Sequence, residues 1–177
     1  MKVTLNTKRL ILRPFELSDA KDMFLNWASD EEVAKYVTWN AHKSIEETEN
    51  LLKFWIEEYE KPERLNFAIV LKENNELIGG IDVVGYISDV PIVGYVLSRK
   101  YWNKGYITEA FRVLIEYLFS VGYKKIKVDA VEQNIASNKV IEKCGGILQG
   151  KTSSLLKAKG KIYTINEYEI TLDSFVK

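Results

Sequence analysis

The chain has 177 residues, with 25 lysines and arginines against 25 aspartates and glutamates. This length suits one domain with a substantial core, and the balanced charge argues against binding to nucleic acid or to an anionic membrane surface. The single cysteine, Cys144, excludes an intramolecular disulfide, and with one histidine, His42, we expect no metal site. No apolar run approaches membrane-spanning length and no signal-peptide core is present at the start, so we expect a cytoplasmic protein.

The first third is predicted to form one strand and two helices. Residues 9–13 alternate as a strand does, and Ser18 is predicted to cap a helix with apolar residues at helical spacing. A second helix is predicted to begin at Ser44, with Glu47 completing a capping box, and Pro62 is predicted to end it.

The remaining two thirds are predicted to alternate strands and helices. The letters ENNE mark a hairpin turn, and the paired Gly79 and Gly80 are expected to weaken or bulge the strand after it. The predicted strands are 67–72, 77–86, 92–97, 126–131, 148–155 and 163–172, and the predicted helices are 107–121 and 135–144. With no repeat, low-complexity tract or linker, we expect residues 1–177 to form a single mixed α/β domain.

A lone glycine, Gly105, lies between the predicted strand 92–97 and the predicted helix 107–121, in the stretch YWNKGYITEA. The first turn of a helix leaves backbone N–H groups unpaired, with the positive end of the helix dipole behind them. Such a turn binds phosphate groups readily. The sequence therefore predicts an anion site here.

Two motifs connect the chain to a known family. The run GYVLSRKYWNKGYITEA, followed further along by NIASNKVIEKCGG, resembles the acyl-coenzyme A motif and the next helix of the GNAT superfamily of N-acetyltransferases. The first motif, with RLILR at residues 9–13, is similar in particular to the branch that contains the ribosomal-protein N-terminal acetyltransferases. The resemblance implies the α/β GNAT fold, with a mixed central sheet, helices on both faces and a splayed strand pair that holds acetyl-CoA as the acetyl donor.

The resemblance assigns the coenzyme to the glycine turn and to the strand before it. The family's loop usually reads Gln/Arg-x-x-Gly-x-Gly/Ala, and Trp102 and Ile107 depart from it here, but backbone N–H groups form the cradle whatever the side chain. The residues implied to hold the pyrophosphate are Asn103, Lys104, Gly105, Tyr106 and Thr108. The pantetheine amides are implied to pair with the strand edge formed by Tyr95, Val96 and Leu97. Lys104 is equally well a solvated lysine, and Thr108 a helix-start residue.

Acetylation of an amine needs a base for the ammonium, a donor for the oxyanion and an acid for the departing thiolate. The resemblance implies that a backbone N–H of residues 95–97 is the oxyanion donor. Many relatives use a tyrosine of the later helix as the acid, but Ile141 takes that place here.

The branch's Asn-x-x-Ser pattern offers a substitute for that tyrosine. It implies that Asn134 binds or orients the coenzyme and that Ser137 gives its proton to the thiolate, directly or through water. A structural interpretation stays open, because Asn134 is a good helix N-cap and Ser137 a good first-turn residue. Asn138 is expected on the polar surface of the helix.

The base is less well defined. The branch often carries a glutamate just before the Gly-Tyr pair, but residues 91–93 here read PIV. Asp82, inside the otherwise apolar GGIDVVGY, is the next candidate for a base or a water-holding group, since burial would raise its pKa. A solvent-facing Asp82, a role for His42, which is equally well a surface histidine, and a water relay without a single base remain alternatives.

Charge is unevenly distributed along the chain. Residues 16–63 contain thirteen acidic residues against five lysines, a net charge of −8. These are either solvated helix faces or, since the family places the two early helices beside the acceptor cleft, a wall that attracts an amine-bearing partner. Tyr36 and Trp39 are candidates for aromatic walls of that cleft or for core residues, and Cys144 is expected to be a small core residue.

The function implied is transfer of an acetyl group from acetyl-CoA to a primary amine, such as the N-terminal amino group of a ribosomal protein. Two alternatives remain open. The chain could acetylate a small amine such as a polyamine or aminoglycoside, or bind an acyl-CoA without turnover as a sensor. We expect a monomer or a homodimer.

Overall fold

Eight strands form one sheet with helices packed on both of its faces in the computed structural model, which describes residues 3–61 and 64–175. The strands are β1 Leu5–Asn6, β2 Leu10–Arg13, β3 Asn66–Leu71, β4 Leu77–Ile87, β5 Val90–Leu97, β6 Lys125–Val131, β7 Ile147–Leu156 and β8 Lys161–Thr171. The helices are α1 Ala20–Met23, α2 Ile45–Glu58, α3 Tyr106–Ser120, α4 Ile135–Lys143 and α5 Leu172–Phe175. The strands and helices predicted after residue 65 are confirmed to within one or two residues at their ends.

The strand order is β1-β2-β3-β4-β5-β6-β8-β7. All neighbours are antiparallel except β5 and β6, which are parallel. These two strands share a single register pair, Ile92 with Lys127, although β5 continues to Leu97 and β6 to Val131. The central pair therefore diverges after one contact point, as expected for a splayed pair, and leaves a gap in the middle of the sheet.

Two hydrophobic cores sandwich the sheet. On what we call the α3 face, residues of α3 and α4 pack against alternate residues of β3 such as Phe67 and Ile69. On what we call the α2 face, residues of α1 and α2 pack against the intervening Ala68 and Val70. Cys144 lies on the α3 face and is fully buried, which confirms it as a core residue.

The first helical segment differs from the prediction. It consists of a 3₁₀ turn (Leu17–Asp19), α1 and a π-helical turn (Phe24–Ala28) instead of one regular helix. The prediction that Ser18 is the N-cap is wrong, because the chain turns earlier: the Asp19 carboxylate accepts a hydrogen bond from Glu16 N at 2.8 Å and pairs with Arg13 at 2.8 Å. A further 3₁₀ turn, Val33–Tyr36, was not predicted.

The start of α2 agrees with the prediction. Ser44 is its N-cap and its side chain accepts a hydrogen bond from Glu47 N at 3.4 Å. The Glu47 carboxylate accepts the N–H of Lys43 at 2.9 Å, one residue earlier than a standard capping box. Pro62, predicted to end this region, lies outside the described residues. None of the helices in the described part of the chain has the length and apolarity that a bilayer crossing requires.

Candidate active site

The turn before α3 has the backbone geometry of an anion cradle. Gly105 is the N-cap in the left-handed region, with φ 79°, and Asn103 also has a positive φ, 60°. The first hydrogen bond of the helix runs from Glu109 N to Gly105 O at 3.1 Å, so the N–H groups of the three preceding residues are free of helical bonds. A Cβ on Gly105 would have one neighbour within 4 Å, Arg9 Nη2 at 3.5 Å, so its outer side is open. A phosphate fits such a site.

Arg9, from the N-terminal strand region, contacts this turn. Its guanidinium pairs with Glu109 through Nε at 2.6 Å, donates from Nη1 to Lys104 O at 3.0 Å and lies 4.2 Å from the Tyr106 ring centroid. Burial would raise the pKa of Glu109, but hydrogen bonds from Thr7 and Arg9 outweigh it and lower that pKa. No role was predicted for Arg9 or Glu109 from the sequence. Arg9 lies in the RLILR motif and Glu109 in the TEA segment of the GYVLSRKYWNKGYITEA motif, so the ion pair joins the two motifs.

Along β5, the backbone N–H and C=O groups of successive residues point in turn to β4 and to the gap. Ser98 N donates to Ile78 O of β4 at 2.8 Å. Because neighbouring residues of a strand direct their backbone groups to opposite sides, those of Val96 face β4, and those of Tyr95 and Leu97 face the gap. The indole N–H of Trp102 donates a hydrogen bond to Leu97 O at 2.9 Å. Tyr95 and Leu97 are thus the residues of the predicted coenzyme edge whose N–H groups lie at the gap.

Ser137 and Asn134 meet at the start of α4. Asn134 is the N-cap, and its Oδ1 accepts a hydrogen bond from Ser137 N at 3.3 Å. The Ser137 hydroxyl lies 2.9 Å from the phenol oxygen of Tyr95, a residue of β5. The capping interpretation of Asn134 is confirmed. Ser137 is connected across the gap to the strand expected to hold the coenzyme.

Asn138 is a buried anchor of α4, so the expectation that it lies on the helix surface is wrong. Its side-chain N–H groups donate to Val131 O at 3.0 Å and to Asn134 O at 2.8 Å. Its Oδ1 accepts from Asn166 Nδ2 at 2.8 Å and from the Tyr168 hydroxyl at 2.7 Å. The side-chain amide of Asn138 both donates and accepts hydrogen bonds, so its polar atoms have partners although the residue is only 7% exposed. These bonds fix the start of α4, and with it Ser137, to β6 and β8.

Asp82 lies on the α2 face of the sheet. Its neighbours Ile81 and Val83 point into the α3-face core, so Asp82 points the other way. It is paired across β4 and β5 with Gly94, and one carboxylate oxygen lies 3.7 Å from the position that a Cβ on Gly94 would occupy. The glycine therefore leaves the carboxylate directly against β5, one residue before Tyr95.

The surroundings of Asp82 favour its protonated form. Its side chain is 22% exposed, and burial raises its pKa to about 6, with Arg64 at 3.9 Å opposing the rise. Asn66 is its register partner on β3. Within the described residues, the buried atoms Arg64 Nε and Asn66 Nδ2 have no hydrogen-bond partner. The alternative of a fully solvent-facing aspartate is wrong, because Asp82 is half-buried beside polar groups.

The other predicted candidates have structural contacts. His42 is half-buried: its Nδ1 lies 2.7 Å from Thr48 Oγ1, and burial lowers its pKa, with Glu47 opposing. The Trp39 ring contacts that imidazole at 5.9 Å between centroids, and its carbonyl accepts a hydrogen bond from Lys159 at 2.8 Å. The Tyr36 ring packs edge-on against Tyr163 of β8 at 6.1 Å. The loop before α2 is thus joined to the β7–β8 hairpin.

Several carboxylates of the acidic first third are locally paired. Glu31 contacts Lys43 at 2.7 Å and Glu58 contacts Lys61 at 2.8 Å, while Asp30 reaches Arg99 at 3.0 Å. Lys43 and Lys61 are already counted in the net charge of −8, so of these three pairs only the one with Arg99 brings in a positive charge from outside residues 16–63. No group of three or more histidine, cysteine, aspartate or glutamate side chains in the described ranges is arranged to hold a metal ion.

Comparisons with known proteins agree with this geometry. Residues 9–147 match the family model described as an acetyltransferase (GNAT) domain. The uncharacterized N-acetyltransferase p20 of Bacillus licheniformis is 29% identical over 170 residues, which cover 94% of this chain and 95% of that protein.

Two solved structures show the same fold. The GNAT-family acetyltransferase of Bacillus anthracis superposes with a TM-score of 0.83 at 26% identity, covering 96% of this chain and 98% of that one. RimL, a ribosomal L7/L12 alpha-N-protein acetyltransferase in complex with coenzyme A, superposes with a TM-score of 0.85 at 18% identity, covering 97% and 99%. The family match spans both the glycine turn and the Asn134–Ser137 segment, so the chain belongs to the GNAT acetyltransferase family and is an acetyl-CoA-dependent N-acetyltransferase.

Proposed function

We propose that this enzyme acetylates the N-terminal amino group of a protein, such as a ribosomal protein. The observation that carries a catalytic role is the placement of two groups on either side of one strand: Asp82 lies against Gly94 on the α2 face, and Ser137 contacts Tyr95 on the α3 face. The choice of acceptor is supported by the RLILR and YWNKGYITEA motifs and by the fold shared with RimL. We further propose, on the sequence argument, a single cytoplasmic domain over residues 1–177 that acts as a monomer or homodimer.

Two groups of residues are proposed to hold acetyl-CoA, which supplies the activated acetyl group as a thioester. The first is the cradle, formed by Asn103, Lys104, Gly105, Tyr106 and Thr108, whose backbone N–H groups and helix dipole suit the pyrophosphate. The second is the strand edge of Tyr95, Val96 and Leu97. Val96 keeps this strand in the sheet, while the N–H groups of Tyr95 and Leu97 and the carbonyl of Tyr95 are proposed to face the pantetheine.

Asp82 is proposed to act as the base on the α2 face. It accepts a proton from the acceptor ammonium, directly or through a water, because a carboxylate with a pKa of about 6 is ionised at neutral pH yet more basic than an ordinary aspartate. The N–H of Tyr95 or Leu97 donates to the oxygen that becomes negatively charged when the amine nitrogen attacks the carbonyl carbon.

Ser137 is proposed to act as the acid on the α3 face. The new carbon–nitrogen bond forms, the carbon–sulfur bond breaks with its electron pair on sulfur, and Ser137 gives its hydroxyl proton to that sulfur. Ser137 then recovers a proton from solvent. The nitrogen loses two protons in all, the first to Asp82 from the ammonium and the second to solvent as the amide forms; one balances the proton on the thiol and the other is released to solvent. Asn134 orients the coenzyme, in addition to its observed role as N-cap of α4.

The acceptor is tested by measuring thiol release from acetyl-CoA with three sets of amines: peptides with free N-termini, the same peptides with a blocked N-terminus and an internal lysine, and polyamines or aminoglycosides. The proposal predicts the highest kcat/KM for the free N-termini. A preference for small amines would contradict the acceptor but retain the enzyme. Coenzyme binding without transfer to any of these amines would contradict the whole proposal.

A further inference from the structure

The Tyr95 phenol is the closest partner of the Ser137 hydroxyl, and it comes from the other side of the gap. Its oxygen lies 2.9 Å from Ser137 Oγ and 3.2 Å from Ser137 O. The ring is packed against Phe111 of α3, with 5.6 Å between centroids. A side chain of the coenzyme strand is therefore held rigidly beneath the first turn of α4.

The hydrogen-bonding capacity of these groups permits two arrangements. A phenol has one proton to donate, a backbone carbonyl can only accept, and a serine hydroxyl can do either. If Tyr95 donates to the carbonyl oxygen, Ser137 has to donate its proton to the phenol oxygen and cannot offer it elsewhere. If Tyr95 donates to Oγ, the Ser137 proton is free to point into the gap.

We propose that Tyr95 is a positioning residue for the proton transfer: its hydroxyl donates to Ser137 Oγ, directs the Ser137 proton toward the departing sulfur, and stabilises the negative charge that develops on Oγ. This inference rests on the proposed function, in which Ser137 is the acid. Tyr95 itself keeps its proton throughout, so the proton balance given above is unchanged.

The environment of Tyr95 suits a permanent donor. Burial raises the pKa of its phenol above the ordinary value of 10.0, and the hydrogen bond with Ser137 opposes that rise. The phenol is therefore protonated at every pH at which the enzyme would work. A donor that does not ionise suits a role in orienting Ser137, and it argues against Tyr95 as the group that gives up a proton itself.

The test compares Tyr95→Phe, Ser137→Ala and the double variant, with Tyr123→Phe as the matched control. Tyr95→Phe removes only the hydroxyl, so kcat is expected to fall by about 10–100-fold, the range for a lost hydrogen bond to a charged group. The dissociation constant for acetyl-CoA should stay within about 2-fold of the wild type, because the cradle and strand backbone are untouched. Tyr123→Phe, whose hydroxyl contacts Tyr86 at 3.4 Å and not Ser137, should leave kcat unchanged.

The decisive measurement is non-additivity. In the Ser137→Ala background, Tyr95→Phe should change kcat by less than about 2-fold, because its partner is gone. Equal and independent effects of the two substitutions, or a wild-type kcat for Tyr95→Phe, would overturn the proposal. A lowered kcat for Tyr95→Phe together with a wild-type kcat for Ser137→Ala would also overturn it, because Tyr95 would then act without Ser137. The acetyltransferase assignment would stand in that case.

A second variant guards against a folding defect. Replacing Tyr95 with 3-fluorotyrosine keeps the ring and the hydroxyl but lowers the phenol pKa, which makes the hydroxyl a stronger donor. We expect kcat to change while the melting temperature and coenzyme affinity stay at the wild-type values. An unchanged kcat in this variant would overturn the proposal even if Tyr95→Phe cannot be purified.

Discussion

The carboxylate of Asp82 lies in the middle of the sheet, where burial raises its pKa to about 6 and Arg64 opposes the rise. An ionised carboxylate at this position is costly to the fold, but the proposed chemistry needs the ionised form. The folded protein binds this proton more tightly than the unfolded chain, whose carboxyl has its ordinary pKa of 3.8. Stability from this group is therefore present at low pH and is lost as the pH rises through the interval between the two values.

Asp82→Asn is expected to lower kcat/KM by about 10²–10⁴-fold and to raise the free energy of unfolding near neutral pH by about 1–3 kcal/mol. The amide fills the same space and has no charge to desolvate, so activity and stability change in opposite directions. The wild-type kcat/KM should rise with pH through about 6, as the base ionises. Steady-state kinetics over that range and urea unfolding at acidic and neutral pH measure the two effects.

Asp89→Asn, in the exposed turn between β4 and β5, is the control and should change neither quantity. If Asp82→Asn retains full activity and the acidic limb of the pH profile, a water relay without a single base accounts for the chemistry instead.

The turn before α3 depends on a residue without a side chain. Gly105→Glu is expected to abolish coenzyme binding in a folded protein, because a carboxylate would enter the anion cradle. The matched control is Gly160→Glu: Gly160 also has a left-handed φ, 58°, and a Cβ there would meet nothing within 4 Å. Both variants should lose roughly 1–2 kcal/mol of stability from the strained backbone, but only the first should lose the coenzyme. Isothermal titration with acetyl-CoA separates them, and equal affinities would contradict the location of the cradle.

Helix α4 depends on one buried amide for its position. Asn138→Ala is expected to cost about 2–4 kcal/mol, because it removes four side-chain hydrogen bonds and leaves Asn166 and Tyr168 without their common acceptor. The turnover of the remaining folded enzyme should also fall, since Ser137 loses its support. Thermal unfolding and active-site-normalised kinetics measure the two losses. Lys139→Ala, on the exposed side of the same helix, is expected to change neither, and an unaltered melting temperature for Asn138→Ala would show that the network is not needed.

Elements with a strong local signal were predictable from the sequence, and the others were not. The strands after residue 65 and the helix α3 follow from hydrophobic periodicity and turn residues such as Asn75, whose φ of 58° suits the hairpin. The segment after Leu17 has helical spacing too, but long-range contacts decide its form: Asn26 donates to Leu77 O of β4 at 2.6 Å, within the π-helical turn. Periodicity carries no information about such a bond.

The same distinction applies to the candidate site. The glycine turn was predictable because its chemistry lies in consecutive backbone groups. The contacts of Arg9 with Glu109 and of Tyr95 with Ser137 join residues 100 and 42 positions apart, so no local pattern indicates them. Asn138 was assigned to the surface because a polar residue is usually exposed; only the fold shows that four partners surround it.

The whole molecule should respond to the coenzyme as a unit. Acetyl-CoA at about 100 times its dissociation constant contributes about 2.7 kcal/mol, which corresponds to a rise in melting temperature of roughly 5–10 °C for a chain of this size. AMP, which lacks the pyrophosphate and pantetheine, should shift it little. Differential scanning fluorimetry makes this comparison, and the absence of a shift with saturating acetyl-CoA would contradict the proposed coenzyme contacts.

The single register pair between β5 and β6 leaves the strands in two sets, β1–β5 and β6–β8, whose backbones pair with each other at Ile92 and Lys127 in the described part of the chain. The acetyl-CoA proposed to enter the gap beyond that point would take the place of a ninth, non-peptide strand and complete hydrogen bonds that the chain leaves open. We therefore expect amide hydrogen exchange at Tyr95 and Leu97 to slow as the concentration of acetyl-CoA rises.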